Sequence, residues 1–233
     1  IIEAVAEYAG EEKGLAEKRK SPDPLGKAGK RFPYIEAEKK VQGKADYADD
    51  IKFKDSLYCK FLRSTHAHAK IEHIDISEAE KFPGVRAICL GVELPQKFGV
   101  LPISQDETAM AVEKTRYIGE IIAAVAADSQ EIAMHACNLI KIKYHPLKEF
   151  FTIDDSINDI GENEKIHSHT KFNNNIHKKA ELRFGNQEQA LKDSHVFIER
   201  DFNFEGINHG FTEPHAATAF WDENGLTIHT ATQ

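Results

Sequence analysis

An unbroken apolar run, Ile121-Ile122-Ala123-Ala124-Val125-Ala126, constrains this chain more than any other segment. Six successive side chains without a polar group suit a strand covered on both faces, because a strand with one wet face would alternate. Ser129 follows, with a side-chain oxygen able to cap a helix whose Ile132, Ala133, Ala136, Cys137 and Ile140 fall on one stripe. Ile140, Ile142 and Tyr144 then alternate with Lys141 and Lys143, which predicts a second strand directly after that helix.

The flanking sequence extends the pattern. Ser56–Phe61 and Ile71–Ile76 alternate as strands, and Gly84–Leu90 reads as another. Ser77-Glu78-Ala79-Glu80 has capping-box spacing and is halted at Pro83-Gly84, so a short helix is expected between two strands. Strands interleaved with short helices over residues 35–148 make an α+β domain. On its N-terminal side, Ile1–Tyr8 carries a fragment of a helical stripe, and the rest of 1–34 is Pro- and Gly-containing with a basic cluster at Lys18-Arg19-Lys20, a helix tail followed by a linker.

Residues 149–179 lack periodicity and are read as a second linker. In 180–233, Gly185–Lys192 predicts a short helix with Ala190 and Leu191 inward, and Val196–Phe204 predicts a strand. Ala216–Trp221 and Leu226–Thr232 predict paired strands around Asp222-Glu223-Asn224-Gly225, where Asn-Gly supplies the positive φ of a tight turn. These last strands have nothing in the sequence to cover them, and the chain starts at Ile1 rather than Met; both ends are expected to be cut.

Composition removes several function classes. With 30 Lys+Arg against 38 Asp+Glu the net charge is −8, which gives no general attraction to nucleic acid or anionic lipid. No apolar run approaches the length of a membrane-spanning helix. Cys59, Cys89 and Cys137 are an odd number of scattered thiols among apolar neighbours, expected to be buried and reduced, which makes the cytoplasm the default compartment.

Twelve histidines invite a metal, and His66-x-His68 and His167-x-His169 would each put two imidazoles on one side of an extended strand. A zinc site needs three or four ligands, and no matching Cys or carboxylate spacing accompanies them, so no metal site is expected. Neither GxGxxG nor a P-loop is present. Gly99–Asp106 is a polar loop without a nucleophile–base pair, and Asp49-Asp50 and Asp154-Asp155 read as solvated turns. Spacing alone defines no complete active site.

Five motifs in order nevertheless resemble one family. Lys39-Lys40-Val41-Gln42-Gly43-Lys44-Ala45-Asp46-Tyr47-Ala48-Asp49-Asp50-Ile51 is similar to the "K-V-x-G-x-x-x-Y-x-x-D" entry of molybdenum hydroxylase large subunits, a family that includes xanthine dehydrogenase, aldehyde oxidoreductase and 4-hydroxybenzoyl-CoA reductase. Ser64-Thr65-His66-Ala67-His68-Ala69-Lys70-Ile71 resembles its "S-x-x-A-H-A-x-I" strand, and Phe82-Pro83-Gly84-Val85 its helix stop. Lys114-Thr115-Arg116-Tyr117-Ile118-Gly119-Glu120 is similar to its "K-V-R-Y-x-G-E" segment. Asn208-His209-Gly210-Phe211-Thr212-Glu213-Pro214-His215-Ala216-Ala217 resembles its "H-x-x-x-E-P-H-A-A" strand.

The resemblance implies an α/β-hammerhead domain at 35–148, followed by the opening strands of a molybdopterin-binding domain at 180–233. It implies that 1–34 is the tail of a preceding Fe-S type domain plus linker. Ala231-Thr232-Gln233 matches the family's "S-T-Q" with Ala for Ser, and places the Gln233 amide, a hydrogen-bond donor, at an oxo ligand of the metal. Glu213 is the second candidate, either at the cofactor or, as the blander role, holding neighbouring backbone. The implied cofactor is molybdenum–molybdopterin in its cytosine dinucleotide form, with [2Fe-2S] clusters and FAD on other domains or subunits. The implied substrate is a purine or other N-heteroaromatic, the implied partners are the remaining molybdopterin-binding segments and the Fe-S and FAD modules, and the full enzyme is expected to be a homo-oligomer. On this reading the chain alone is inactive. The competing expectation is a non-catalytic structural or assembly module for a separate catalytic subunit.

Overall fold

The structure is a computed structural model that describes residues 29–30, 34–99, 105–158, 160, 164–168 and 170–232. The expected helix tail at Ile1–Tyr8, the basic linker cluster, His169 and Gln233 lie outside the described residues. Contacts divide the chain into two units, one formed by 52–209 and the other by 1–51 together with 210–233.

The larger unit is built on the apolar run. It forms β5 (Ile121–Ala127) at the centre of an antiparallel sheet, between β1 (Tyr58–Arg63) and β3 (Val85–Leu90). Val125 pairs with Lys60 on one side and Ile88 on the other. Ile122, Ala123, Val125 and Ala127 are fully buried, as a strand covered on both faces requires.

One cover is α3 (Gln130–Leu139), which buries Ala133 and places Ala136 and Cys137 in the core with Ala123 and Val125. Ser129 caps it as expected, its hydroxyl accepting the Ile132 N–H at 3.3 Å. A second antiparallel sheet joins β4 (Lys114–Thr115), β2 (Ala69–Asp75) and β6 (Lys141–Pro146), with β2 central. The short α2 (Ser77–Glu80) lies between β2 and β3, and Ala79 completes the core. Mixed helix and sheet in this order is the expected α+β arrangement.

Four local readings need correction. The first residue of α2, Ser77, is already helical; Asp75 Oδ1 instead accepts the Ser77 N–H at 3.0 Å, because Asp75 ends the strand in position to receive it. Val196–Phe204 forms no strand and its apolar residues are exposed, since alternation makes a strand only where a neighbour offers a backbone ladder. The helix near 185–192 exists as α5 (Gln187–Asp193), capped by Asn186, but buries nothing: Ala190 is exposed and Leu191 is 46% exposed. Cys59, on an edge strand, is exposed rather than buried.

Among the described residues of 149–179 there is a short helix, α4 (Ile153–Ile157), and two side chains are buried, Ile160 and, at 1% exposure, Lys165. In the smaller unit, α1 (Ala37–Val41) and a 3-10 turn (Ala48–Asp50) accompany a hairpin of β7 (Ala217–Asp222) and β8 (Gly225–Thr230). The two-residue turn between these strands closes through Asn224 N–H on Asp222 Oδ1, and Gly225 takes the positive φ of +119°.

Candidate functional site

The hairpin carries the first candidate region. Ala216 C=O accepts both Ala231 N–H and the Thr230 hydroxyl, each at 3.2 Å, so the chain leaving β8 is tied to the start of β7 up to two residues before Gln233. Glu213 sits in the loop ahead of β7, not on a strand as the sequence suggested. Its Oε1 accepts the Ala48 N–H at 3.4 Å, a backbone-holding contact. A shallow cleft of about 310 Å³ lies there, with Lys40, Tyr47, Glu213 and His229 among its walls.

A second cavity, about 390 Å³, opens in the larger unit and is within the range of small-molecule sites. Met110 and Ile121 supply apolar wall; Asp106, Arg116, Tyr117, Glu120 and His167 supply polar wall. Asp106 Oδ2 and His167 Nδ1 meet at 2.6 Å, which orients the imidazole. Glu120 Oε2 accepts the Arg116 N–H at 2.5 Å, and Arg116 Nη1 stands 3.5 Å from Oε1. Burial pushes the Glu120 carboxyl above its ordinary pKa, against the opposing pull of Arg116, and burial likewise raises Tyr117.

Beside this cavity the histidine motif resolves in an unexpected way. His66 and His68 occupy the bend between β1 and β2 rather than a strand, so their rings part. His66 lies against the Tyr144 ring at a centroid distance of 4.4 Å. His68 is 1% exposed; its Nδ1 stands 2.6 Å from Lys148 C=O and its Nε2 3.1 Å from Lys114 Nζ. Lys114 also donates to Lys165 C=O, and burial lowers its pKa to about 8. Among the described residues no group of three or more His, Cys, Asp or Glu could hold a metal.

Sequence reasoning did not single out the Lys114–His68 contact, the Arg116–Glu120 pair or the Asp106–His167 pair. The segment from Lys114 to Glu120 was conspicuous as a motif, but the folded register brings its side chains to His68 and Lys165, which are distant in sequence.

Comparison with known proteins matches the chain to a family. The family "Aldehyde oxidase and xanthine dehydrogenase, a/b hammerhead domain" matches residues 42–148, and "Molybdopterin cofactor-binding domain" matches 166–233. The nicotinate dehydrogenase large molybdopterin subunit of Eubacterium barkeri is 33% identical over 208 residues, covering 88% of this chain and 47% of that subunit. The probable hypoxanthine oxidase XdhD of Escherichia coli (strain K12) is 30% identical, covering 91% of this chain and 26% of that protein. The aldehyde oxidoreductase of Desulfovibrio gigas shares the fold, with a TM-score of 0.66 and 22% identity over 87% of this chain and 23% of its own. The chain belongs to the molybdenum hydroxylase family, and carries a hammerhead domain and molybdopterin-binding sequence. It spans less than half the length of each of these relatives. No helix among the described residues is long and apolar enough to cross a membrane.

Proposed function

We propose that this chain supplies the hammerhead domain, residues 35–148, and one wall of the cofactor site, from 180–233, of a molybdenum-dependent oxidoreductase that hydroxylates a purine or other N-heteroaromatic. The observation that carries the reading is the collinear match of a hammerhead and a cofactor-binding sequence to relatives named for nicotinate and hypoxanthine, both nitrogen heteroaromatics.

The donor set fits a molybdenum–molybdopterin group only in part. Glu213 spends a carboxylate oxygen on Ala48 N–H, which supports a role in holding the backbone ahead of the hairpin. The amide of Gln233 has the donor chemistry an oxo ligand accepts, and it follows β8 by three residues in sequence. When bound, the group would supply the two-electron redox chemistry, and the Gln233 amide would orient it. The cytosine dinucleotide form of the cofactor, the [2Fe-2S] and FAD modules, the remaining molybdopterin-binding segments, a homo-oligomeric assembly and a cytoplasmic setting complete the proposal. The 1–34 segment would join the hammerhead to the Fe-S module, and 149–179 would join it to the cofactor-binding segment.

The test is to purify the product of the whole reading frame. Expected are molybdenum near one atom per chain, CMP released on acid hydrolysis, and ¹⁸O from water appearing in hydroxylated hypoxanthine, xanthine or nicotinate. Gln233→Ala should lower turnover while molybdenum content is kept. A folded product without molybdenum, binding stoichiometrically to a separate molybdenum-containing subunit, would instead establish a non-catalytic assembly module.

A further inference from the structure

His68 makes two contacts that fix its protonation. A backbone carbonyl can only accept, so the 2.6 Å contact with Lys148 C=O places the proton on Nδ1. Nε2 must then accept from Lys114 Nζ at 3.1 Å, which requires the neutral ring. Lys114 donates simultaneously to Lys165 C=O, and Lys165 Nζ donates to Thr170 C=O at 3.2 Å. Leu147 N–H returns to His68 C=O at 2.9 Å. One imidazole and one ammonium thereby tie Leu147, Lys148 and Lys165 to the β2–β4 pair.

We propose that neutral His68 is the pin of an acid-sensitive clamp that holds Lys165 against the β2–β4 pair through Lys114 and lets it go when the ring is protonated. Protonation would turn Nε2 into a donor facing another donor and set two cations 3.1 Å apart in a half-dry site. The charged groups facing His68 are Lys114 and Arg116, which oppose its protonation, and Glu164, which favours it; Phe150 covers the ring at 6.3 Å. Burial, the largest influence, acts with the two cations to hold His68 below its ordinary pKa against the opposing pull of the Lys148 carbonyl bond and Glu164, so the clamp is closed at neutral pH. Lys165 lies between the two matched family segments, 42–148 and 166–233, so its release would loosen the connection between hammerhead and cofactor-binding sequence. The clamp rests on the geometry of this chain and stands whether or not the proposed substrate class is right.

The experiment digests the full 233-residue chain with trypsin between pH 7.5 and 5.5, and scores cleavage after buried Lys165 relative to exposed Lys178. Two-dimensional long-range ¹H–¹⁵N NMR of the same sample reads the His68 tautomer and titration. Expected are an Nδ1–H tautomer at pH 7.5 and a rise of about tenfold in the cleavage ratio, with a midpoint that tracks the His68 titration. His68→Gln should make the ratio independent of pH. Lys114→Met, which removes both the opposing cation and the bond to Lys165 C=O, should move the His68 titration to higher pH and leave the cleavage ratio raised and independent of pH. An Nε2–H tautomer, or a wild-type ratio that stays flat while His68 titrates, would overturn the clamp.

Discussion

Glu120 accepts the backbone N–H of Arg116 through Oε2 at 2.5 Å, while Arg116 Nε is buried with no partner among the described residues. The carboxylate therefore serves the Arg116 backbone more closely than its guanidinium, which stands at 3.5 Å. Glu120→Ala would leave that N–H and the half-buried cation without their acceptor, and should cost about 2 kcal/mol or more in chemical denaturation.

The same residue predicts a pH dependence. Because the folded pKa of Glu120 is raised, the folded chain holds more protons than the unfolded chain from the ordinary value of 4.5 upward. Its contribution to stability is present below 4.5 and is lost as pH rises through the folded pKa. Glu120→Gln cannot titrate, so wild-type stability relative to this variant should fall over that window. A difference that is constant from pH 4 to 7 would place the carboxyl at its ordinary value.

Gly91 and Gly119 should respond to alanine for different reasons. A Cβ on Gly91 would stand 2.4 Å from Ala111 C=O, which Ala111's own N–H bond to Ile121 helps hold in place. Gly119 has φ +89° but open space around it. Gly91→Ala should cost about 2–4 kcal/mol from the steric clash, and Gly119→Ala about 1 kcal/mol from backbone strain alone. Equal urea midpoints for the two variants would refute the ranking.

How much of this was legible in the sequence depends on which contacts decide each element. β5, α3 and β6 were readable because their pattern is local: an apolar run, a capping Ser129 and an alternating strand. The hairpin was readable from its turn for the same reason. Val196–Phe204 was misread because strand pairing is a long-range property that alternation cannot supply. The polar cluster was invisible as a site: His68, Lys114 and Lys165 are 46 and 51 residues apart in successive steps and meet only through the β2–β4 register. Of the residues marked for the cofactor, Glu213 has one carboxylate oxygen 3.4 Å from Ala48 N and Gln233 falls outside the described residues.

Ser129→Ala tests the local side of that contrast. The hydroxyl satisfies one otherwise orphaned N–H at the start of α3, and the helix lays Ala133 and Ala136 into the core. Its loss should cost about 1 kcal/mol, and Ser129→Asp should retain most of the stability because a carboxylate also caps. Two variants of equal stability would mean that the cap contributes nothing beyond its backbone geometry.

Lys114 gives a prediction on the alkaline side. Its folded pKa of about 8 lies below the ordinary 10.5, chiefly through burial. Between those two values the unfolded chain binds more protons than the folded chain, so stability rises with pH across the window. The neutral amine still donates to His68 Nε2 and Lys165 C=O, which is why losing the charge need not break the contacts. Lys114→Met has no proton to lose, and wild type should gain on it by about 1 kcal/mol between pH 7.5 and 10, a figure discounted for the group's partial exposure to solvent. Urea denaturation of both proteins at pH 7.5, 9 and 10 measures that gain. A difference that stays level, or that moves against wild type, would show that Lys114 keeps its ordinary pKa and that burial at this position is relieved by water.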